Sequence, residues 1–326
     1  MRWKRRRLWL RAARRARDLT RISPPPSIAR GDILAFATLR DEAERLPHWL
    51  DHSRRIGVHR FLIVDNASSD GSTELLADEP DVTLWRTDAS YREARFGMDW
   101  ITALQNRYAD GHWCVTADAD EVLIYPHWEE RPLATLAAEL DARGQPALGA
   151  LMVELFPKGP LTQTAYHPGT DPVAALPFFD ATGYRAQRQR PARNLWVQGG
   201  PRDRLFFADT PRRAPTLNKL PFLRWRRGQA WLNATHAALP PRLNLAWNGP
   251  GDSRLSGALL HTKFLPSIVA KSALSTHRAE HFGTPALFAS YHDALAGDPD
   301  LWHAGATRFV GWRQLEDLGL LSSGGW

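Results

Sequence analysis

The sequence predicts an α/β protein built on a doubly wound, mostly parallel sheet. Up to about residue 130, short apolar runs alternate with segments of helical periodicity, which is the pattern of parallel strands joined by crossover helices. The apolar runs are continuous, as expected of strands that are buried on both faces. With 326 residues and a hydrophobic content of 43%, the chain is long enough for one large domain or two modest domains.

The predicted elements follow in regular order up to the fourth strand. Pro47 fits the first turn of the first helix, and Gly57 provides its end. A cluster of turn-forming residues follows the second strand. The predicted strands are 33–39, 61–65, 82–85 and 112–123, and the predicted helices between them are 47–57, a short helix through 75–76, and 91–108.

The C-terminal half is less regular. Between 157 and 257 the chain is rich in Pro, Gly, Arg and Trp with little periodicity, which is typical of functional loops or lids. The elements that we expect here are a helix near 133–140, strands at 150–156 and 259–264, and helices near 267–280 and 285–296.

The basic charge of the chain is concentrated at its N-terminus. Residues 1–30 contain 11 Lys or Arg and one acidic residue, so they carry +10, while the remainder carries −3 of the net +7. A basic helix that contains Trp3 and Trp9, and that ends before Pro24, is typical of an element lying on an anionic membrane surface. The alternative is a disordered, solvated tail. In either case we expect residues 1–22 to be dispensable for the fold.

Composition excludes several classes of protein. The chain beyond the N-terminal arm is slightly acidic, which argues against nucleic acid as a partner. The lone cysteine, Cys114, lies in a predicted strand and is expected to be a core residue in a reducing, cytoplasmic compartment. The N-terminus lacks the features of a signal peptide, and no apolar run reaches the length of about 18 residues that a transmembrane helix needs.

Three carboxylates end the fourth predicted strand: Asp118, Asp120 and Glu121. Ligands of open α/β sheets bind beyond the carboxyl ends of the strands, so these side chains lie where a site is expected. Clustered carboxylates repel one another unless a cation joins them, and hard divalent ions prefer oxygen ligands. Asp118 and Asp120 are two residues apart and would share one face, whereas Glu121 would point away. The alternative is an acidic, solvated turn.

Two further segments place these carboxylates in a recognisable order. Residues 62–72, LIVDNASSDGS, resemble the VDDGSTDGT signature of family 2 glycosyltransferases. Residues 38–42, TLRDE, lie where that family has TYNEE, and residues 118–121 resemble the DAD form of its DXD motif, with the additional Glu of a bacterial subgroup. The order and spacing agree over residues 32–126, and softer similarities extend over most of the chain.

The resemblance implies a GT-A fold, a UDP- or GDP-sugar as donor, and Mn²⁺ or Mg²⁺ as the metal. It implies that Asp65, at the end of the second strand, contacts the nucleotide base and that Thr38 lies beside the nucleotide. Arg95 matches the arginine with which the family holds the nucleotide. Asp118 would meet the ribose or, indirectly, the metal, and Asp120 would bind the metal directly.

The catalytic base and the remaining metal ligands have no clear motif. Asp203, which lies between Arg202 and Arg204, is the candidate base, and a structural ion pair with a neighbouring arginine is the alternative. His236 and His261 are candidates for a third metal ligand or for a contact to the diphosphate. The alternative for each histidine is a hydrogen-bonded residue of the core.

These features together predict a metal-dependent glycosyltransferase of hexosyltransferase type. Residues 1–30 would be the arm, 31–157 the nucleotide-sugar-binding subdomain, and 158–326 the acceptor-side and C-terminal region. The acceptor would be a hydroxyl group in bacterial cell-surface polysaccharide or glycolipid assembly, and the enzyme would be cytoplasmic and peripheral on the inner membrane.

Two other functions fit parts of the sequence. Residues 115–122 also match the apolar-DXDX(T/V) motif of haloacid-dehalogenase-like phosphatases, in which Asp118 would be the nucleophile and Asp120 the acid/base. A non-catalytic protein that binds sugar or membrane and retains the fold is the second rival.

Overall fold

A computed structural model describes residues 1–275 and 285–326. Its strands are β1 (Thr20–Arg21), β2 (Leu34–Leu39), β3 (Arg60–Asp65), β4 (Val82–Arg86), β5 (Trp113–Thr116), β6 (Glu121–Ile124), β7 (Ala147–Glu154), β8 (Phe178–Phe179), β9 (Arg185–Arg188), β10 (Leu195–Gln198), β11 (Asn218–Arg224), β12 (Ala230–Asn233), β13 (Ala237–Leu239), β14 (Gly257–His261) and β15 (Thr307–Arg308).

The helices cover most of the segments that the sequence predicts to be helical. They are α1 (Arg2–Arg15), α2 (Leu46–Arg55), α3 (Ser72–Ala77), α4 (Met98–Tyr108), α5 (Leu133–Ala142), α6 (Pro172–Ala175), α7 (Gly200–Phe206), α8 (Ser267–Ser275), α9 (Pro285–Ala296) and α10 (Trp312–Asp317). Residues 276–280 of the helix predicted near 267–280 lie outside the described residues.

Nine strands form one sheet, in the order β1-β4-β3-β2-β5-β11-β7-β14-β6. The block β4-β3-β2-β5 is parallel, and its strands lie in the four segments that the sequence predicts. β7 and β14 are also parallel, whereas β1, β11 and β6 run antiparallel to their neighbours. The predicted α/β class with a large central sheet is therefore confirmed, and the arrangement is consistent with a GT-A-like fold.

The parallel strands are buried on both faces. In β2 and β3 alternate residues belong to two different hydrophobic clusters: Phe36 and Leu62 lie in one, and Ala35 and Ile63 lie in the other. Helix α4 contributes to the first cluster and α2 to the second. Both faces thus need apolar side chains, which explains why the sequence of these strands does not alternate.

The stretch 112–123, predicted as a strand that ends in three carboxylates, forms two strands. β5 ends at Thr116, residues 117–120 turn, and β6 begins at Glu121 at the far edge of the sheet. The N–H of Thr262, just beyond β14, donates to the carbonyl of Asp120 at 2.8 Å and anchors the turn. The turn carries the acidic side chains out of the sheet. In a continuous buried strand the same side chains would be unsolvated, which is energetically costly.

The region at 157–257 is more ordered than its composition indicates. It contributes β11 to the middle of the large sheet, between β5 and β7. It also supplies two separate two-stranded sheets, β9 with β10 and β12 with β13. These strands are short and surrounded by loops, so their periodicity in the sequence is too brief to be recognised.

The N-terminal basic segment is part of the folded body. α1 packs against α4 and β12, and its residues Leu8 and Ala12 are buried. Arg11 forms an ion pair of 2.6 Å with the buried carboxylate of Asp99 on α4, and β1 extends the large sheet beside β4. The alternative of a disordered tail is therefore wrong, since Arg11 gives Asp99 a second cationic partner beside Arg95 from a residue 88 positions away. That residues 1–22 are dispensable for the fold stays a prediction. Within the described ranges, no helix combines the length and the apolar character needed to cross a membrane.

His52 on α2 is a buried histidine that supports β6. Its Nε2 donates to the carbonyl of Leu123 at 2.7 Å, and burial lowers its pKa from 6.5 to about 4. Between these two pH values the unfolded chain binds the proton and the folded chain does not, so stability falls as the pH decreases.

We expect His52→Gln, which keeps a donor for the Leu123 carbonyl, to reduce that acid sensitivity. The loss of unfolding free energy between about pH 6.5 and about pH 4.5 should be smaller by about 2 kcal/mol in the variant. Urea denaturation of both proteins at the two pH values measures the difference. Parallel pH profiles would show that His52 does not carry this proton linkage.

Candidate active site

A cavity of about 860 Å³ lies where β2 and β5 end, within the size range of small-molecule sites. Its wall includes residues from the exits of these strands, from the 117–120 turn, and from β11 and the segment that follows β14. The acidic lining residues are Glu42, Asp118, Asp120 and Glu121, and the basic ones are Arg40, Arg202, Arg212, Arg213, Lys219 and Lys263. The excess of basic side chains favours an anionic ligand.

Asp120, Glu121 and His261 meet at one wall of this cavity. β6 and β14 pair so that Glu121 lies opposite His261, and Asp120 immediately precedes β6. Nε2 of His261 is 3.2 Å from Oδ2 of Asp120, and one ligand atom from each of the three residues lies within 4.8 Å of the others. Two carboxylates and an imidazole at this spacing suit a divalent cation. The structure thus brings together two of the predicted metal ligands, Asp120 and His261.

The expectation that Glu121 points away from the metal is wrong. Side chains alternate only within a strand, and the turn at 117–120 interrupts the strand between Asp118 and Glu121. Oε1 of Glu121 is 2.8 Å from Nζ of Lys219, and its Oε2 accepts a hydrogen bond of 3.2 Å from the N–H of Asp118. Burial raises the pKa of Glu121 to about 7, against the opposing charge of Lys219.

His261 is oriented by a second carboxylate. Its Nδ1 is 3.4 Å from Oε1 of the fully buried Glu154, which pairs in turn with Arg202. Histidines that bind metals commonly direct the second ring nitrogen at a carboxylate, and this fixes the tautomer that presents the other nitrogen to the ion. The residues present therefore fit a divalent cation both in their ligand atoms and in the support of the imidazole.

The charges of Asp120, Glu154 and His261 partly compensate one another. Burial would lower the pKa of His261, but Asp120 and Glu154 outweigh it, so the pKa lies above its ordinary value. Burial would likewise raise the pKa of Asp120, but His261 and Lys263 hold it well below its usual range. The opposite shifts of these two pKa values both reflect the contact of 3.2 Å between His261 and Asp120.

Asp118 lies at the mouth of the group, and its side chain is 48% exposed. Its Oδ2 is 3.2 Å from Nζ of Lys219, a side chain that is only 4% exposed. Asp118 does not belong to the compact set formed by Asp120, Glu121 and His261. Asp118 thus lies beside the candidate metal site, next to a fixed ammonium group, and its contact with the ribose or the metal stays a prediction.

Asp65 is not among the described residues that line the cavity, although it lies at the end of β3 as predicted. It is fully buried, and its carboxylate accepts hydrogen bonds from the N–H of Ser68 at 3.2 Å and the hydroxyl of Thr73 at 2.9 Å. These bonds fix the β3–α3 turn. The neighbouring Asn66 lines the cavity instead.

Arg95 and Asp203 are also placed outside the described lining. Arg95 binds Asp99 at 3.0 Å and the carbonyl of Trp231 at 2.8 Å. Asp203 forms two hydrogen bonds with the guanidinium of Arg185, at 2.9 and 2.8 Å. The candidate base is therefore engaged in an ion pair, but its partner is Arg185 and not one of the neighbouring arginines, Arg202 and Arg204.

Thr38 and His236 do line the cavity. A Cβ at Gly97, which has a φ of +76°, would lie 2.7 Å from Oγ1 of Thr38, so glycine lets α4 begin against Thr38 in the cavity wall. Nδ1 of His236 donates to the carbonyl of Asn218 at 2.6 Å, and burial lowers its pKa to about 3, which keeps the ring neutral. Its ring lies outside the group of potential metal ligands.

Sequence reasoning missed Glu42, Glu154, Lys219 and Lys263. The structure places three of them in the cavity wall and Glu154 behind His261. Glu154 is a single charge in the apolar strand predicted at 150–156, and such residues are almost never fully buried unless they are paired, so this is the available signal. Lys219 lies in a region for which no strand is predicted, and the sequence contains no comparable signal for it.

Comparison with known proteins gives structural similarity alone. No protein-family model matches the sequence, and no curated protein matches it. A mannosyltransferase from Pyrobaculum calidifontis, solved in complex with GDP-Man and Mn²⁺, is 20% identical over 46% of this chain and 43% of its own, with a TM-score of 0.28. A 4-diphosphocytidyl-2C-methyl-D-erythritol synthase is 15% identical over 46% of this chain and 84% of its own, with a TM-score of 0.26. The first match spans less than half of either chain, and scores this low assign neither a substrate nor a metal.

Proposed function

We propose that this protein is a metal-dependent glycosyltransferase of the family 2 type, which moves a sugar from a UDP- or GDP-sugar to a hydroxyl acceptor. The observation that carries the proposal is the meeting of Asp120, Glu121 and His261 in the wall of a cavity in which basic side chains outnumber acidic ones. Mn²⁺ or Mg²⁺ bound there supplies the positive charge that a leaving diphosphate needs as its own charge develops.

Residues of the chain bind the metal ion, orient one of its ligands and line the remaining part of the cavity. Asp120, Glu121 and His261 hold the ion, and Glu154 fixes the ring of His261 from behind. Thr38 and Asn66, at the ends of β2 and β3, line the part of the cavity that is left for the nucleoside. Side chains fixed in this way need no rearrangement as charge develops on the donor, which is how such sites lower a barrier.

Glu42 replaces Asp203 as the proposed base for the acceptor hydroxyl. Among the described residues that line the cavity, Glu42 is the acidic residue outside the 118–121 segment. Burial raises its pKa more than Arg45 and Lys271 lower it, which makes the carboxylate a better proton acceptor. Arg45, at 2.8 Å, holds the carboxylate in place.

The experiment that tests the proposal is a thermal-shift panel with UDP, GDP, CDP and ADP, each with Mn²⁺, with Mg²⁺ or with EDTA. We expect stabilisation by UDP or GDP that increases with the metal, followed by release of that nucleotide from its sugar donors when an acceptor is added. Indifference to every nucleotide would favour the non-catalytic binding protein. Metal-dependent hydrolysis of a phosphate monoester without any sugar donor would favour the phosphatase.

The setting of the reaction is part of the same proposal. We place the enzyme on the cytoplasmic face of a bacterial inner membrane, with an acceptor that belongs to cell-surface polysaccharide or glycolipid assembly. What supports a membrane surface is a groove of about 530 Å³ between α1 and the loop before β12, which is lined by Arg2, Trp3, Arg5, Arg6, Trp9, Arg227 and Gly228. Trp3 is 82% exposed, and an exposed indole beside arginines is typical of an interfacial helix.

We expect the triple variant Arg2→Glu, Arg6→Glu and Arg227→Glu to lose affinity for vesicles that contain phosphatidylglycerol. Each basic residue contributes about 1 kcal/mol at such a surface, so binding should weaken by on the order of 100-fold or more. Co-sedimentation at low and high salt measures the change. The matched control reverses three exposed arginines elsewhere, Arg190, Arg242 and Arg308. An equal loss in the control would show that net charge, and not this groove, determines the binding.

A further inference from the structure

Lys219 is a buried ammonium group that faces the same cavity. Its Nζ lies 2.8 Å from Oε1 of Glu121 and 3.2 Å from Oδ2 of Asp118, and these two ion pairs account for two of its three donors. The residue lines the cavity wall between the two carboxylates. An ammonium group has a third donor beyond these two ion pairs, and Lys219 is part of the cavity wall.

The sequence explains how a lysine from the middle of the sheet reaches this position. β11 contains Pro221, which has no N–H for the ladder, and prolines in central strands occur at bulges. The pairing of β11 with β7 is in fact irregular between Lys219 and Phe222. Such bulges redirect side chains next to active sites, and this one directs Lys219 at the 118–121 segment.

The balance of charge indicates what the lysine is for. Asp118, Asp120 and Glu121 form the acidic part of a wall whose remaining charged side chains are mostly basic. Carboxylates repel an anionic diphosphate unless cations lie beside them. Lys219 places a positive charge at contact distance from two of these three carboxylates.

We propose that Lys219 is a diphosphate-binding residue, a second and permanent cation that contacts the donor phosphates beside the metal ion. This inference rests on the proposed function, because it assigns a further contact to the same donor. It follows that the site retains part of its affinity for a diphosphate when no divalent ion is present. A lysine that served only to neutralise Asp118 and Glu121 would confer no such affinity.

The test is calorimetric titration of the full-length protein with inorganic pyrophosphate, in EDTA and in Mg²⁺. We expect the wild-type protein to bind pyrophosphate in both buffers. Lys219→Gln, which keeps a donor for the carboxylates, should weaken binding by about 10–100-fold in EDTA, the effect of losing one charge-assisted contact. Lys219→Arg should stay within about threefold of the wild type, and the exposed Lys158→Gln is the matched control for loss of one lysine.

The outcomes separate this inference from the function on which it rests. Wild-type binding in Mg²⁺ but not in EDTA overturns the role of Lys219 and leaves the metal-dependent transferase intact. Unchanged affinity of a folded Lys219→Gln in EDTA overturns it as well. If that variant does not fold, the wild-type titration in EDTA and the Lys219→Arg variant still decide the question. Wild-type protein that binds neither pyrophosphate nor UDP or GDP in Mg²⁺ overturns both proposals.

Discussion

Asp120→Asn is expected to reduce donor-dependent turnover by about 10²–10³-fold, the usual effect of removing one group that stabilises a developing charge. The substitution keeps the shape of the side chain and removes the charge that a divalent ion would meet. Asp120 is 3.2 Å from His261, so the variant also loses the partner that orients the imidazole. Initial rates with the donor identified by thermal shift, measured over a range of Mn²⁺ concentrations, provide the test.

Two companion variants make that result specific. Because Glu121 lies in the same group of ligand atoms, Glu121→Gln is expected to have a comparable effect and not a mild one. Asp51→Asn, at a side chain that is 79% exposed, is the control and should leave turnover unchanged. Metal-stimulated turnover of Asp120→Asn at the wild-type level, in a protein with a normal melting curve, would remove the case for this site.

The sequence predicts those strands and helices that local residue patterns determine. β2, β3 and β4 are continuous apolar runs that are bounded by turn residues, and their alternation with helices determines a parallel arrangement. The sequence allows an acidic turn after β5 but does not show that a new strand, β6, begins behind it. Val122 and Leu123 are as strand-like as the residues of β5, and only pairing with β14 shows that they belong to the opposite edge of the sheet.

The candidate site was predictable where a residue's neighbours in sequence determine its place. Asp120 follows a strand and therefore lies at the sheet edge, as its position implies. Arg95 and Asp203 lie elsewhere because their partners come from distant segments: Asp203 binds Arg185, and Arg95 binds the carbonyl of Trp231. Contacts between residues that are distant in sequence have no local pattern, so neither partner could be predicted before the fold was known.

Arg202→Met is expected to lower the free energy of unfolding by about 3–5 kcal/mol, the cost of leaving one charge of a buried pair without its partner. Arg202 pairs with Glu154, whose side chain has no exposed surface, and Glu154 also contacts His261. Urea denaturation, with the slope of the transition compared as a check on two-state behaviour, measures the loss.

The double variant Arg202→Met with Glu154→Gln separates the stability of this pair from its role in the site. With both charges removed, no buried charge is left unpaired, so most of the lost free energy should return. The neutral amide still offers an oxygen to His261 but no longer attracts an imidazolium, so Mn²⁺ affinity should remain below that of the wild type even though the fold is restored. The exposed pair of Arg224 and Asp141 is the control, and Arg224→Met should cost less than about 1 kcal/mol. If Arg202→Met is as stable as Arg224→Met, Glu154 finds its countercharge elsewhere. If the double variant binds Mn²⁺ with wild-type affinity, the pair of Arg202 and Glu154 serves the fold alone.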